Sequence, residues 1–351
     1  MIKQCQNQTC MKEIPKKSKQ WLNQIFCSTK CRKAAHRKKT SQETRIARRR
    51  ANLRQNDEVL RLVSQCRRAR SVQILEGHDI ASFIETMTLV KKRPKGDLHL
   101  CHIAPVKGKS SIGLFHCRNL FYAGAHQNRK FGNKWASGGL SIKKENILEE
   151  WKISEEMSTN EILIKIEEYL GNIVGEYIKS ASVTKSKRAQ LANKINGVDP
   201  KREFDELMRL DHSVLREEWS KLSNHPFYKI TYNHTESKYI TYIYELSRFV
   251  SYGGDRVKVM KKLIKTMAVG YVALSKVSDS RTYNKDFEKE YGSLVKKFRD
   301  VALKNENDWS EFKDLIYDAA FKTLQGEPLK AKKFHSKIMS YLDTSVKHAL
   351  S

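Results

Sequence analysis

The stretch 98-LHLCHIAPVKGKSSIGLFHCRNLFYAGAHQNRKFGNK-134 decides how the chain reads. His102 follows an apolar run, Pro105 and a Gly/Lys/Ser loop come next, then Asn119, then Asn128 in a helical segment. The pattern predicts a strand from Leu98 to Ala104, a loop from Pro105 to Ser111 and a second strand from Ile112 to His116. A turn at Asn119 to Tyr122 and a helix from about Ala123 to Asn133 complete the unit. Histidine is the side chain whose ordinary pKa lets it take a proton from water near neutrality, which makes His102 the candidate general base.

In that order, His102-Ile-x-Pro, Asn119-Leu and Asn128-Arg resemble the HNH (ββα-metal) nuclease motif, over 37 of 351 residues. The resemblance implies hydrolysis of phosphodiester bonds with one divalent cation, Mg2+ or another, beside the scissile phosphate. It makes Asn128 a metal ligand and Asn119 the residue that ties the unit together and orients the base; the nine-residue step between them is one this family commonly shows. Cys101 departs from the pattern, standing where the family has Asp or another His as the second ligand. A thiolate suits zinc better than magnesium, so either the metal differs or His99 or His126 supplies that ligand. Lys107, Lys109, Arg129, Lys130 and Lys134 place cations around the phosphate, and His116 reads as a satisfied hairpin residue.

The rest of the chain points to nucleic acid independently. Lys and Arg number 67 against 39 Asp and Glu, a net charge of +28 that calls for a polyanionic partner. Duplex DNA is the expected partner, with RNA as the alternative. No apolar run approaches the ~18 residues of a membrane span and no signal peptide opens the chain, so a cytoplasmic, reducing location is expected, with no membrane partner. There the seven cysteines read as ligands or buried thiols rather than disulfides.

Four of those seven form two pairs, Cys5-x4-Cys10 and Cys27-x3-Cys31, sixteen residues apart. The spacing can close a tetrahedral thiolate site, and so short a segment needs a structural Zn2+ to fold around. Ser28 is a good N-cap that places Cys31 in the first turn of a helix, as in a treble-clef or zinc-ribbon-like finger. His36 reads as a solvated helix residue, and Trp21 and Phe26 as the finger's small core. From Thr29 to Arg54 there are eleven Lys/Arg and one acid, Glu43, so this basic helix, Arg48, Arg49 and Arg50 included, is expected to hold a phosphate backbone. Cys66, Cys101 and Cys117 lack the paired spacing of a second zinc site.

The fold expected is mainly α, with a zinc knuckle at residues 1–40, basic and covering helices at 41–95, the ββα unit at 96–136 and an all-helical domain at 141–351. Ala136-Ser137-Gly138-Gly139 is the expected boundary. In the helical part, apolar stripes run from Ile162 to Tyr177, Val259 to Leu274, Phe287 to Val301 and Trp309 to Leu324. In a tyrosine-rich stretch from Pro226 to Phe249, Tyr228, Ile230 and Tyr232 alternate like a strand and Tyr239 to Phe249 is either strand or helix, with core packing favoured over base stacking. Two functions compete: a DNA endonuclease, and a non-catalytic nucleic-acid-binding protein on a degenerate HNH scaffold.

Overall fold

The computed structural model describes the chain except residues 1–2, 8–9, 15, 17–20, 40–41, 95, 137, 181–184, 225, 227–236, 283, 285 and 345–351. The described residues are mainly helical, with three small two-stranded sheets. No helix among them is long and apolar enough to cross a membrane. The first part of the tyrosine-rich stretch, residues 227–236, lies outside the described residues.

After the cysteine-bearing segment, the basic run forms α1 (Thr29–Lys39) and α2 (Gln42–Ala51), the two residues between them lying outside the described residues. A 3-10 turn at Leu53–Gln55 then brings in Asn56, whose side chain accepts from the Glu58 amide and starts α3 (Asp57–Ala69). The segment after α3 is a buried 3-10 turn, Val72–Leu75. Asp79 and Ser82 form a capping box at the start of α4 (Ile80–Lys91).

Next comes strand β1 (Leu98–His102), then β2 (Ser111–Gly113), β3 (Leu120–Gly124) and helix α5 (Ala125–Phe131). β1 pairs antiparallel with β3, Cys101 opposite Phe121 and His102 opposite Leu120. The partner of β1 is therefore the run after Asn119, expected to be a turn, and not residues 112–116. Leu120 to Gly124 is buried on both faces, so it lacks the polar alternation that marks a half-exposed strand. β2 pairs instead with β4 (Ser141–Lys143).

At the expected boundary, Gly138 and Gly139 are closely packed. Gly139 has φ +83°, and a Cβ there would lie 2.2 Å from Asn119 Oδ1. Glycine alone fits both the left-handed backbone and that approach.

The remaining helices are α6 (Thr159–Leu170), α7 (Asn172–Ser180), α8 (Lys187–Val198), α9 (Phe204–Leu207) and α10 (His212–Ser223). They are followed by α11 (Lys238–Ser251), α12 (Val257–Ser275), α13 (Phe287–Val295), α14 (Trp309–Gln325) and α15 (Ala331–Ser340). The stripe from Ile162 to Tyr177 is split at Gly171, which takes positive φ, into α6 and α7. Residues 302–303 (β5) and 342–343 (β6) close a last small ladder.

Two large cores meet at the ββα unit. Cys101, Ile103, Phe121 and Ala123 pack into the core built by α11 to α15. Val106, Ile112, Leu114, Phe115 and Leu120 pack into the other, with α3, α4, α6 and α7. A third, small core holds α8 to α10 together. Because apolar burial contributes roughly 25 cal/mol per Å², a strand pair clamped between two such cores is a rigid place to hold polar side chains.

Candidate active site

Asn119 is wholly buried and every hydrogen-bonding position of its amide is used. Its Oδ1 accepts from Ala104 N at 2.9 Å and Leu140 N at 3.2 Å. Its Nδ2 donates to Leu114 O at 2.7 Å and Ala104 O at 3.2 Å. One side chain thus fastens the end of β1, the loop after β2 and the start of the segment leading to β4. Such groups must be satisfied when buried, and an amide is the side chain able to serve two donors and two acceptors at once.

His102 sits at the end of β1, just before this clasp. Its Nδ1 is buried without a hydrogen-bond partner. Burial, then the charges of Arg68 and Arg61, hold the imidazole down to about 3, while the Leu114 backbone pulls the other way. Leu114 O is also an acceptor for Asn119, so His102 and the clasp converge on one carbonyl. On the backbone side, Gln325 Nε2, at the end of α14, donates to His102 O at 3.2 Å. Burial and the two arginine charges both favour the neutral imidazole, the form able to accept a proton.

Asn128, on α5, faces β1. Its Nδ2 lies 3.2 Å from His99 Nδ1, and the two line one cleft. Of the two histidines left open as ligands, His99 is the one the fold brings to Asn128. His126 is exposed, two residues before Asn128 and so on another face of α5. Cys101 lies in the core at 3 % exposure, its Sγ contacting His99 O at 3.5 Å. Burial, then the Glu245 carboxylate, push its thiol far above the ordinary range, which makes it a poor metal ligand.

A narrow cleft of about 280 Å³ is lined by Arg68, His102, Asn128, Arg129, Lys134 and Gln325, among others. Lys130 lies outward and pairs with Asp318 at 3.3 Å. Lys107 and Lys109 are exposed on the loop between β1 and β2. His116 is engaged structurally: its Nδ1 accepts from Arg118 N, and its ring stacks on His78 at 4.5 Å.

Of Arg48, Arg49 and Arg50 in α2, two are tied to the neighbouring helices. Arg49 donates to the carbonyls of Ile178 and Lys179 at the end of α7, and Arg50 pairs with Glu167 at 2.9 Å. Arg48 is exposed.

Sequence reasoning passed over Arg248. Its guanidinium donates to Cys117 O at 2.9 Å and Leu120 O at 2.6 Å, on either side of Asn119, and is bonded to Glu245 and Tyr252. An arginine amid the tyrosines of α11 is the available signal, but nothing local says that it reaches back 131 residues.

The N-terminal cysteines come together. The Sγ atoms of Cys5, Cys10, Cys27 and Cys31 lie within 4.8 Å of one another and could hold a metal ion such as zinc. Cys27 Sγ is 3.5 Å from both Cys10 Sγ and Cys31 Sγ, and Cys31 N donates to Ser28 Oγ in the first turn of α1. Hydrogen bonds from Asn7 and then Ser28 hold the Cys31 thiol down to about 6, whereas those with Cys10 and then Cys31 push Cys27 up to about 12. Cys66, Cys101 and Cys117 are separate buried thiols. Among the described residues this is the only group of three or more His, Cys, Asp or Glu side chains close enough to share an ion.

No protein-family model, no curated protein and no solved structure matches this chain.

Proposed function

We propose that the chain is a metal-dependent DNA endonuclease of the HNH type, stiffened at its N-terminus by a structural zinc. The observation that carries this reading is the placement, within one strand–loop–strand–helix unit, of an unpartnered His102 Nδ1, the Asn119 clasp and the His99–Asn128 pair. His102 takes the proton of a water that attacks phosphorus as the bond to the leaving sugar oxygen breaks, and that oxygen takes a proton from solvent. Its basicity is low in the free protein. A phosphodiester drawn into the cleft adds negative charge that offsets Arg68 and Arg61 and raises it.

A divalent cation would supply charge neutralisation at the phosphate. His99 Nδ1 and the Asn128 carboxamide, turned to present Oδ1, would hold it. An imidazole and a neutral carbonyl make a weak set that suits Mn2+, Ni2+ or Zn2+ better than Mg2+, with the substrate phosphate completing it. Duplex DNA is the substrate class in keeping with the net charge of +28.

A second reading is favoured by the absence, among the described residues, of a three-ligand group at His99. It makes the chain a nucleic-acid-binding protein without catalysis. Incubating the full-length protein with supercoiled plasmid in Mg2+, Mn2+, Ni2+ or Zn2+ separates the two. Nicking with any one ion supports the endonuclease, and binding without nicking in all four supports the second reading and overturns the first.

A further inference from the structure

Beside the His102 cleft lies a wider one of about 890 Å³, lined by residues of α3, α8 and the start of α10, together with Arg93, His99 and Asn128. Five of its lining residues are Arg or Lys, namely Arg61, Arg68, Arg93, Lys187 and Arg188, and two are Asp. Arg68, Leu100 and Asn128 line both clefts, so the wide one opens directly onto the narrow one.

Three features set this cleft apart from ordinary surface charge. Among the described residues none of the five cations is in an ion pair, whereas the arginines at 50, 70, 202, 248 and 299 all are. The cations also crowd one another: partial desolvation, then the charges of Arg93 and Arg68, hold Arg61 below the usual arginine range, although much of its side chain is exposed. Five like charges gathered in a concavity against only Asp57 and Asp211 destabilise the free protein, and a polyanion relieves that repulsion.

The third feature is the backbone. α3, α8 and α10, of 13, 12 and 12 residues, all begin at the cleft, where Asp57, Lys187, Arg188, Asp211 and His212 line it. Each helix start carries a partial positive charge that adds to the side chains. Arg188 Nε is buried without a partner.

We infer that this cleft is the track for the phosphodiester backbone of the nucleic acid, with the α8–α10 module as one wall and Arg68 handing the strand to the His102 site. The inference rests on the endonuclease reading for what happens at His102, but the track itself is a binding surface. Neither Arg48 to Arg50 nor the loop lysines 107 and 109 line it.

The test is affinity of the full-length protein for a short labelled DNA duplex, without added divalent ion, across a salt series. The variant carries Arg61→Gln, Arg68→Gln and Lys187→Gln; the control removes the same charge from the exposed face of α12, with Lys261→Gln, Lys262→Gln and Lys265→Gln. The cleft variant should bind about tenfold more weakly or worse, with the log–log salt slope reduced by about 2 to 3, and the control should stay near the parent. Equal losses in both, or no loss in the cleft variant, overturn the inference.

The three cleft positions are exposed and outside the cores, and an unchanged melting temperature verifies the fold. Plasmid nicking by the parent protein tells the two readings apart. Cleft-dependent binding without any nicking leaves the track standing and removes the nuclease; nicking with cleft-independent binding does the reverse. Running the series with duplex RNA shows whether the track selects the sugar, and equal affinity assigns it to the shared phosphodiester.

Discussion

Asn128 Nδ2 and His99 Nδ1 lie 3.2 Å apart, which joins the helix of the ββα unit to its first strand at the point where the two clefts meet. The pairing predicts that His99→Ala and Asn128→Ala lower metal-supported cleavage to similar extents, on the order of 10²-fold, and that the double variant is no worse than either alone. Cys101→Ala should keep nearly full cleavage and cost only about 1 kcal/mol of stability, because it trims a buried side chain away from the ion. Cleavage lost in Cys101→Ala and kept in His99→Ala would reverse the assignment.

Asn119 is predicted to be more sensitive than its size suggests. Asn119→Ala leaves two carbonyls and two amides of the backbone, all but the Leu140 amide buried, without their partner, a loss of about 2–4 kcal/mol in a denaturant titration. Asn119→Asp is an informative variant, since a carboxylate accepts from Ala104 N and Leu140 N but donates nothing to Leu114 O. It should recover part of the stability and little of the activity, and full activity in Asn119→Asp would show that the clasp does not orient His102.

Arg248 predicts a purely structural penalty with a catalytic echo. Arg248→Met strands the buried Glu245 carboxylate and frees the carbonyls of Cys117 and Leu120, for a cost of roughly 3–5 kcal/mol. Adding Glu245→Gln to it should restore much of the melting temperature. A double variant as unstable as the single one would show that the carbonyl contacts, and not the ion pair, dominate.

Two histidines give a signed pH dependence. Burial is the main cause holding His78 down to about 4 and His102 down to about 3. Between those values and the ordinary ~6.5 the unfolded chain binds protons that the folded one does not, so stability rises with pH across that window and is lost on acidification. Melting temperatures should therefore fall from pH 7 to pH 4.5, and fall less steeply in His78→Asn. The same depression keeps the acid limb of kcat/KM well below pH 6.5, and a limb near 6.5 that vanishes with an alternative base would rule His102 out.

How much of this was legible in the sequence depends on the range of the interaction. The four cysteines and the helix cap at Ser28 rest on neighbours a few residues away, and the structure places them together. The second strand was misplaced because Leu120 to Gly124 is apolar on both faces and offers no period to read. Arg49 and Arg50 counted as free cations because their partners, Lys179 and Glu167, lie more than 100 residues away. The cleft of Arg61, Arg68 and Arg93 was missed although Arg61, Ser64 and Arg68 recur at helical spacing. Its other wall comes from α8 and α10, and no local pattern announces that meeting.

The central claim is that His102 is the base of a hydrolytic site. Full-length protein and His102→Ala should be compared on the same labelled duplex, measuring cleavage with the best divalent ion and binding in parallel. Cleavage reduced by about 10³-fold or more with affinity within about threefold of the parent is the predicted result. Unchanged cleavage in His102→Ala would contradict it.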